Sequence, residues 1–474
     1  MEWNDTICAP ATVPGTGAIT VIRVSGPQAL AVTDRIFRSR QGSLCEAAGY
    51  TIRFGSVVES CADSPEASLQ ERVLDDVLVS VFRGPHSYTG EDSIELSCHA
   101  SSHIATRILS GLCEAGARLA EPGEFTRRAF INGKMDLAQA EAVADVISST
   151  NSASHRVALT QMKGGFSREL AGIRNALVEL TSLLELELDF SEEDVEFAER
   201  GRLRSLLISA TTRIRTLADS FHLGNAIKSG VPVAIIGEPN VGKSTLLNAL
   251  IGDDRALVSD IAGTTRDSIE ETVVLDGIGF RFIDTAGLRE SDEIVERMGI
   301  DRTWKMLSGA DLVLALVDAT RSPEDAVAFL EAVADKLDWQ RQQCLVLVNK
   351  VDANKNVNAL NKVVSSTIPQ AFCAEISARE SLGLDKLRAW LVRAVSDQIA
   401  ASEMVLVTNA RHHEALRQSA DALDAALTAL DTGIPSDLVA QDLRTALHHL
   451  GTITGSITTD EVLGQIFERF CIGK

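Results

Sequence analysis

Apolar residues along this chain recur with two different spacings, and each spacing predicts a different kind of element. Short apolar runs occupy residues 19–24, 77–82, 231–237, 280–283 and 344–348, and the first of them alternates around Arg23. Glycine or polar residues follow each run. Runs of this length, closed by turn residues, favour strands over helices.

Elsewhere the apolar residues are spaced three and four apart, which puts them on one face of a helix. Asp136 and Gln139 form a predicted capping box that opens the first of these helical segments. Three apolar stripes follow, in residues 170–184, 416–430 and 439–450. Each stripe predicts a helix that packs through its apolar face.

Composition narrows the class of protein. The chain has 474 residues, enough for two to four domains, and its 45% apolar and 23% charged content is typical of soluble globular proteins. Its apolar runs are far shorter than the ~18 residues of a membrane span, and the N-terminus does not resemble a signal peptide. Eight cysteines without paired spacing indicate reduced thiols. We therefore expect a cytoplasmic protein that does not cross a membrane.

The net charge of −21 argues against attraction of nucleic acid by the whole surface. An RNA partner would need a local basic patch or a helper protein. Cys98, His99 and His103 have a spacing that fits no common structural zinc site, so we expect no metal there. The histidine pairs 412–413 and 448–449 lie in helical patterns and are predicted to be on the surface.

A phosphate-binding loop follows the apolar run 231–237. The pattern G-x-x-x-x-G-K-S spans Gly237 to Ser244, and an apolar helical pattern follows it. The glycines let backbone N–H groups turn toward phosphate oxygens at the helix N-terminus. Lys243 can reach the β- and γ-phosphates, and the Ser244 hydroxyl can ligate Mg²⁺.

Later motifs specify guanine. The run 280–283 leads into Asp284-Thr285-Ala286-Gly287, a turn that can hold the Mg²⁺ shell and sense a γ-phosphate. The run 344–348 leads into Asn349-Lys350-Val351-Asp352, where the Asp352 carboxylate can accept both guanine N1–H and N2–H₂. Ser377 and Ala378 fit the turn that meets guanine O6. Four motifs in this order and spacing predict a GTPase.

The hydrolytic chemistry departs from Ras-like proteins, because Leu288 stands where they carry the glutamine that orients water. Thr265 is the predicted second protein ligand of Mg²⁺. Asn240 can offer its side-chain oxygen to a monovalent cation beside the phosphates, in place of an arginine finger. An acidic residue of the stretch 290–296 could position water.

The predicted fold is multidomain α/β plus α. A mixed α/β domain spans 1–132, a helical domain is made of residues 133–222 and 400–474, and a Ras-like P-loop GTPase domain (223–399) is inserted between its halves. The predicted GTP-binding residues are Asn240, Val241, Gly242, Lys243, Ser244, Thr245, Ser259, Asp260, Ile261, Ala262, Gly263, Thr264, Thr265, Asp284, Thr285, Ala286, Gly287, Asn349, Lys350, Asp352, Ser377 and Ala378.

Over nearly its full length the chain resembles the MnmE (TrmE) family of tRNA-modifying GTPases. The resemblance rests on GTGAITVIRVSGP, SYTGEDSIE, EPGEFTRRAFINGKMDLAQAEA, GEPNVGKST, DIAGTTRD, DTAGLRE and the terminal FCIGK. Two positions depart from the family pattern: His99-Ala100-Ser101 stands for His-Gly-Gly, and Ser259 stands where Thr is common.

The resemblance implies a site for 5,10-methylene- or 5-formyl-tetrahydrofolate, formed by Arg23, Glu95 and Lys134 with Lys474 nearby. It implies a homodimer through the N-terminal domains, and a flavoprotein partner, MnmG, that acts with the chain on C5 of the wobble uridine of certain tRNAs. Cys471 is a candidate catalytic residue of that chemistry.

The resemblance also implies details of GTP hydrolysis. K⁺ is held by Asn240, Ser259, Ile261 and Thr264, and Mg²⁺ by Ser244 and Thr265. Glu296 is the catalytic glutamate of the second switch, and the GTPase domains pair across the dimer. The competing hypothesis is a GTPase switch that binds ribosomal RNA, like Era or EngA. Such proteins carry an RNA-binding domain after the GTPase motifs, whereas residues 400–474 read as amphipathic helix.

Overall fold

The computed structural model describes residues 5–13, 15–59, 72–189, 200–253, 271–283, 307–353, 357–401, 405–468, 470 and 473. The chain divides into two compact units, Met1–Ala144 with His448–Lys474 and Asp145–Leu447.

The strands are β1 (Ile7–Pro10), β2 (Ile19–Ser25), β3 (Phe37–Arg38), β4 (Thr51–Glu59), β5 (Arg72–Phe82), β6 (Ser93–His99), β7 (Arg118–Leu119), β8 (Val231–Gly237), β9 (Glu271–Leu275), β10 (Ile278–Phe282), β11 (Leu312–Asp318), β12 (Gln343–Asn349) and β13 (Phe372–Glu375). The helices are α1 (Ala29–Ile36), α2 (Ser102–Glu114), α3 (Glu124–Ile131), α4 (Leu137–Ser148), α5 (Ser152–Met162), α6 (Gly165–Asp189), α7 (Arg200–Asp219), α8 (Phe221–Ser229), α9 (Lys243–Asp253), α10 (Pro323–Ala334), α11 (Val357–Thr367), α12 (Leu384–Ala401), α13 (Ala410–Asp431), α14 (Ser436–Thr454) and α15 (Asp460–Phe467).

The first unit is built on a seven-stranded sheet in the order β3-β4-β5-β6-β2-β1-β7. Its strands are antiparallel except for the β1–β7 pair. Ile22 and Leu96 are fully buried in a core that also contains Ile108 and Leu112 of α2. Since side chains alternate along a strand, Arg23 and Glu95 lie on the other face of the sheet. The β2–β6 register sets these two residues opposite each other.

The C-terminal residues join the same unit through α3. Phe467 and Phe470 pack in a small core with Leu137. Gly123 has φ +67°, and a Cβ there would lie 2.5 Å from Phe467 O, so this close approach requires glycine. The contact fixes the end of α15 just before the terminal residues.

The second unit contains a six-stranded sheet in the order β13-β12-β11-β8-β10-β9, parallel except for β9. Strands β8, β11 and β12 are buried on both faces, as expected for a parallel sheet covered by helices. Their bounds confirm the predicted runs at 231–237 and 344–348. No helix within the described ranges is long and apolar enough to cross a membrane.

A helix that precedes this sheet along the chain packs on a helix that follows it. Helix α7 lies against α13, and Arg204 Nε lies 2.8 Å from Asp431 Oδ1. Arg215 pairs with Asp424 along the same interface. This packing is what a helical domain made of two sequence halves requires. The predicted boundaries at 132, 222 and 399 remain predictions.

Two local predictions have clear outcomes. The capping box is confirmed, because Gln139 N donates to Asp136 Oδ1 at 2.8 Å and Asp136 N donates to Gln139 Oε1 at 3.0 Å. The surface location of His412 is wrong: its exposed fraction is 2%, and its ring centroid lies 5.3 Å from that of Phe166. His412 lies four residues before Leu416 and so continues the buried stripe of α13.

Candidate functional site

The predicted nucleotide motifs meet at one edge of the six-stranded sheet. The register pairs Gly237 with Leu316 and Asp318 with Asn349, so β8, β11 and β12 end side by side. Ligands of open α/β sheets bind at the carboxyl ends of the strands. The loop 238–242 leaves β8 at this edge, and α9 begins at Lys243.

Side chains hold the carbonyl groups of this loop. Lys243 Nζ donates to Gly237 O at 2.9 Å and to Glu238 O at 2.8 Å. Asn349 Nδ2 donates to Val241 O at 2.7 Å, and Lys350 Nζ donates to Asn240 O at 2.7 Å. The guanine motif of β12 is therefore bonded directly to the phosphate loop.

The backbone of the loop has the left-handed residues that such a turn needs. Asn240 has φ +62° and Gly242 has φ +101°. A Cβ on Gly242 would lie 2.5 Å from Asn349 Nδ2, so a larger residue would push this amide away from the loop. Glycine at this position thus serves the junction between the two motifs as well as the phosphate turn.

The same amide of Asn349 reaches the third motif. Its Oδ1 accepts a hydrogen bond of 2.9 Å from Ala378 N, and Ser377 beside it is fully buried. Asp352 lies exposed just beyond Lys350, at the start of the following turn. The structure thus brings together Asn349, Lys350, Ser377 and Ala378, whose role in binding guanine stays a prediction.

Asp318, at the end of β11, belongs to this site although no sequence motif marks it. Its Oδ2 lies 2.7 Å from Lys350 Nζ, and its Oδ1 accepts from Thr320 N at 2.9 Å. Burial raises the pKa of Asp318, but the hydrogen bonds from Lys350 and Thr320 outweigh it and hold this pKa below its usual range. The carboxylate orients the Lys350 ammonium toward Asn240 O.

A second cluster of charged groups lies in the N-terminal unit. Arg23 donates to Glu95 Oε1 from Nη2 at 2.8 Å and from Nε at 3.1 Å. Arg23 Nη1 also donates to Gly473 O at 3.3 Å. The Arg23 guanidinium therefore joins Glu95 of a neighbouring strand to Gly473 near the C-terminus.

Comparison with known proteins identifies the family. A model described as "MnmE helical domain" matches residues 137–471, and one described as "GTP-binding protein TrmE N-terminus" matches residues 6–134. A Bacteroides fragilis protein named tRNA modification GTPase MnmE is 48% identical, with 99% of this chain and 100% of the relative covered. The chain belongs to the MnmE (TrmE) family. The predicted resemblance is confirmed.

Other relatives carry the same name. The Parabacteroides distasonis protein is 47% identical, with 99% of this chain and all of the relative covered. The Flavobacterium johnsoniae protein is 46% identical, with 99% of each chain covered. The prediction of a GTPase enzyme is confirmed by this membership together with the matched motifs.

Several residues predicted for the MnmE site lie outside the described residues. They are Ser259, Asp260, Ile261, Ala262, Gly263, Thr264, Thr265, Asp284, Thr285, Ala286, Gly287, Glu296, Cys471 and Lys474. Their roles stay predictions. Phe470 and Gly473 on either side are described: Phe470 is buried, and a Cβ on Gly473 would overlap Pro10 O, so Gly473 lies close to β1.

Aromatic side chains complete the Arg23 cluster, and neither was among the predicted folate-binding residues. The guanidinium carbon lies 5.2 Å from the ring centroid of Tyr88 and 5.7 Å from that of Phe125. Tyr88 Oη is 2.9 Å from Thr126 Oγ1, and burial raises the pKa of Tyr88. These rings fix the plane of the Arg23 side chain.

Lys134 lies apart from Arg23 and Glu95, the two other predicted folate residues that the structure describes. Its Nζ donates to Pro85 O at 2.8 Å, in the loop between β5 and β6. A Cβ on Gly90 would lie 3.3 Å from Lys134 Cδ, so the lysine stem crosses this loop closely. Lys134 is bonded to the loop rather than to the Arg23–Glu95 pair.

Proposed function

We propose that this MnmE-family protein hydrolyses GTP as part of tRNA modification, together with the flavoprotein MnmG. The two proteins install a carboxymethylaminomethyl-type group at C5 of the wobble uridine, position 34, of certain tRNAs. The observation that carries the proposal is the meeting of Arg23, Glu95 and Gly473 in a protein that also has a complete phosphate loop.

The donors and acceptors of the Arg23 cluster fit a reduced folate. The Glu95 carboxylate, 32% exposed, can accept N–H donors from the pterin edge. The Arg23 guanidinium can donate to a carbonyl or carboxylate, and Tyr88 and Phe125 provide aromatic surface beside it. Lys134 and Lys474 are suited to a glutamyl carboxylate. When bound, 5,10-methylene- or 5-formyl-tetrahydrofolate supplies the one-carbon unit.

The terminal residues of the chain belong to this pocket in our proposal. Gly473 O accepts from Arg23 Nη1, and Phe470 is buried three residues earlier. In sequence, Cys471 comes one residue after Phe470 and two residues before Gly473. Cys471 is therefore our candidate for a thiol that acts on the uridine or on the one-carbon unit.

We propose that GTP hydrolysis requires Mg²⁺ and is stimulated by K⁺. Ser244 and Thr265 hold Mg²⁺, whereas Asn240, Ser259, Ile261 and Thr264 hold K⁺. Asn240 supports this proposal because it is fixed in a left-handed conformation by the bond from Lys350. An anchored backbone limits where the side-chain oxygen of Asn240 can reach, which suits a ligand of a cation that offsets charge on the phosphates. Glu296 positions the water, and the GTPase domains pair during hydrolysis.

A homodimer through the N-terminal unit is also proposed. Three large apolar side chains lie exposed on the sheet face that carries Arg23: Ile52 at 63%, Phe54 at 60% and Leu78 at 47%. Phe54 and Leu78 are directly paired across β4 and β5. An exposed apolar patch of this kind favours a protein interface. Its occupant in our proposal is the same face of a second copy.

The function is tested in a strain that lacks its own copy of this gene, complemented with the wild type or with Arg23→Ala. Mass spectrometry of tRNA nucleosides should find the modified uridine restored by the wild type and absent with the variant. Normal tRNA modification in the deletion strain, together with defective ribosomal subunits, would favour the competing RNA-binding switch.

A further inference from the structure

Five consecutive carbonyl groups of the phosphate loop, residues 237–241, each accept a hydrogen bond from a side chain. Lys243 holds the first two, and Lys350 and Asn349 hold the last two. The central one, Pro239 O, accepts from Arg321 Nη2 at 3.2 Å. Lys243, Lys350 and Asn349 all belong to GTPase motifs. Arg321 does not belong to any of them.

Arg321 reaches the loop from the turn that follows β11. Its backbone N donates to Asp318 O at 3.2 Å, and Ser322 beside it caps α10. Both ends of the turn are thus anchored, one to the end of a buried strand and one to a helix. The arginine side chain, 39% exposed, therefore starts from an anchored backbone.

The guanidinium of Arg321 makes two kinds of contact with the loop. Nη1 forms an ion pair with the Glu238 carboxylate, while Nη2 donates to the carbonyl of the next residue, Pro239. A planar guanidinium can serve two acceptors at once, which a lysine ammonium does with less directional control. The two contacts fix the side chain of one residue and the backbone of its neighbour.

This contact lies immediately before the strained point of the loop. Asn240 has φ +62°, a conformation that residues other than glycine rarely adopt. Such a residue persists only when its surroundings determine it. Lys350 holds its carbonyl on one side, and Arg321 holds the preceding peptide on the other.

We propose that Arg321 is a positioning residue for nucleotide binding: it braces Glu238 and Pro239 so that Asn240 and the following amides keep the conformation that receives phosphate. It acts through the loop and does not touch the nucleotide. This inference uses only the GTP-binding motifs and the described contacts, and it is independent of folate, MnmG, tRNA and K⁺.

The test measures the Kd of fluorescent GDP and of a non-hydrolysable GTP analogue for purified full-length protein. Arg321→Ala should raise both Kd values about fivefold, since a partly exposed charged contact is lost. Arg321→Lys should recover part of the loss. The matched control is Arg393→Ala, because Arg393 is an exposed arginine on α12 that pairs with Asp397, in the same helix. Its Kd values should stay within twofold of the wild type.

Steady-state kinetics and unfolding separate positioning from a general structural role. Arg321→Ala should raise KM for GTP, because the loop amides hold the phosphates in the ground state as well as in the transition state. The thermal midpoint without nucleotide should match that of Arg393→Ala. An affinity loss that appears only together with a lowered midpoint would overturn the proposal, as would Kd values of Arg321→Ala within twofold of the wild type.

A double variant tests the brace against simple charge neutralisation. If Arg321 serves only to cancel the Glu238 charge near the phosphates, Glu238→Gln combined with Arg321→Ala should bind nucleotide like the wild type. We expect the double variant to remain at least about threefold weaker, because Pro239 O still lacks its donor. Full recovery in the double variant would contradict the positioning role.

Discussion

The phosphate loop and the Arg23 cluster solve the same problem, the placement of polar groups for a ligand, in different ways. In the loop, consecutive carbonyls are fixed by side chains at the ends of parallel strands, and most of those side chains come from short motifs. In the Arg23 cluster, one guanidinium joins residues that lie 72 and 450 positions away in sequence.

The difference teaches where each site is sensitive to change. The loop is continuous in sequence, so its geometry depends on a few neighbouring residues and on the strand ends that support them. The Arg23 cluster depends on the β2–β6 register and on the anchoring of the chain terminus. Substitutions in the loop should act on nucleotide alone, whereas the cluster should respond also to changes at the C-terminus.

The largest expected effect concerns Asn240 in the phosphate loop. Asn240→Ala should remove the preference of GTP hydrolysis for K⁺ over Na⁺ and slow the K⁺-stimulated rate by about 10²–10³-fold, because an electrostatic stabiliser is lost. Rates measured in KCl and NaCl at equal ionic strength provide the check. Equal rates of the wild type in both salts would mean that K⁺ has no special role.

The next effect concerns the base. Asp352→Asn replaces an acceptor of two guanine N–H groups with an amide, so GTP affinity should fall by about 10²-fold and xanthosine triphosphate affinity should rise. Titration of both nucleotides against the variant measures the exchange. Unchanged GTP affinity would show that the exposed Asp352 carboxylate does not meet the base.

The separation of the two sites is tested by Arg23→Ala. It should weaken binding of 5-formyl-tetrahydrofolate by about 10-fold or more, since a charged donor is lost, and leave basal GTP hydrolysis within twofold of the wild type. Conversely, Glu296→Ala should slow hydrolysis and leave folate affinity unchanged. Calorimetry with folate and phosphate release with GTP are the two measurements. Loss of hydrolysis in a folded Arg23→Ala protein would contradict the separation.

A smaller effect should follow from the chain terminus. Gly473 has φ +94°, and a Cβ there would overlap Pro10 O. Gly473→Ala should therefore displace the terminal segment from Arg23 and reduce folate affinity several-fold, while nucleotide affinity stays at the wild-type level. Gly433→Ala is a matched control, since Gly433 also has positive φ but no atom within 4 Å of a Cβ. Equal folate affinity of both variants would mean that the terminus does not shape the pocket.

These two sites also differ in how far sequence could predict them. Short motifs with a recognisable nucleotide chemistry predicted the strand 231–237 and the phosphate loop. They also placed Asn349 and Ala378 at one site. The placement of Arg23 and Glu95 in one site came only from the family resemblance, and their pairing was not predicted, because periodicity does not reveal that β2 lies beside β6. Tyr88 and Phe125 were missed for the same reason.

Asp318 and Arg321 were missed although they lie in the nucleotide site. Asp318 ends an apolar strand and Arg321 lies in the turn after it, and neither belongs to a recognisable motif. Their roles become clear only once β11 is known to lie between β8 and β12. The sequence feature that could have identified Asp318 is a polar residue at the end of a central parallel strand, because ligands bind at these strand ends. The 231–237 strand carried that signal together with a motif, whereas 312–318 carried it alone.

The smallest expected effect concerns the Asp318–Lys350 pair and depends on pH. The pKa of Asp318 in the folded protein is below its ordinary value of 3.8. The pair therefore stabilises the folded domain fully above that value, and the stabilisation is lost as the pH falls through the lower, folded-state pKa. Asp318→Asn should lower the free energy of unfolding by about 1 kcal/mol at pH 7. Since the wild type loses stability as the Asp318 carboxylate is protonated, the difference in the free energy of unfolding between the two proteins should shrink below pH 4.

Urea unfolding followed by tryptophan fluorescence reports on this domain, because Trp339 and Trp390 pack against its cores. A difference that stays constant from pH 7 to pH 3 would mean that the Asp318 charge does not stabilise the ligand edge, and that Lys350 is oriented by Asn240 O alone.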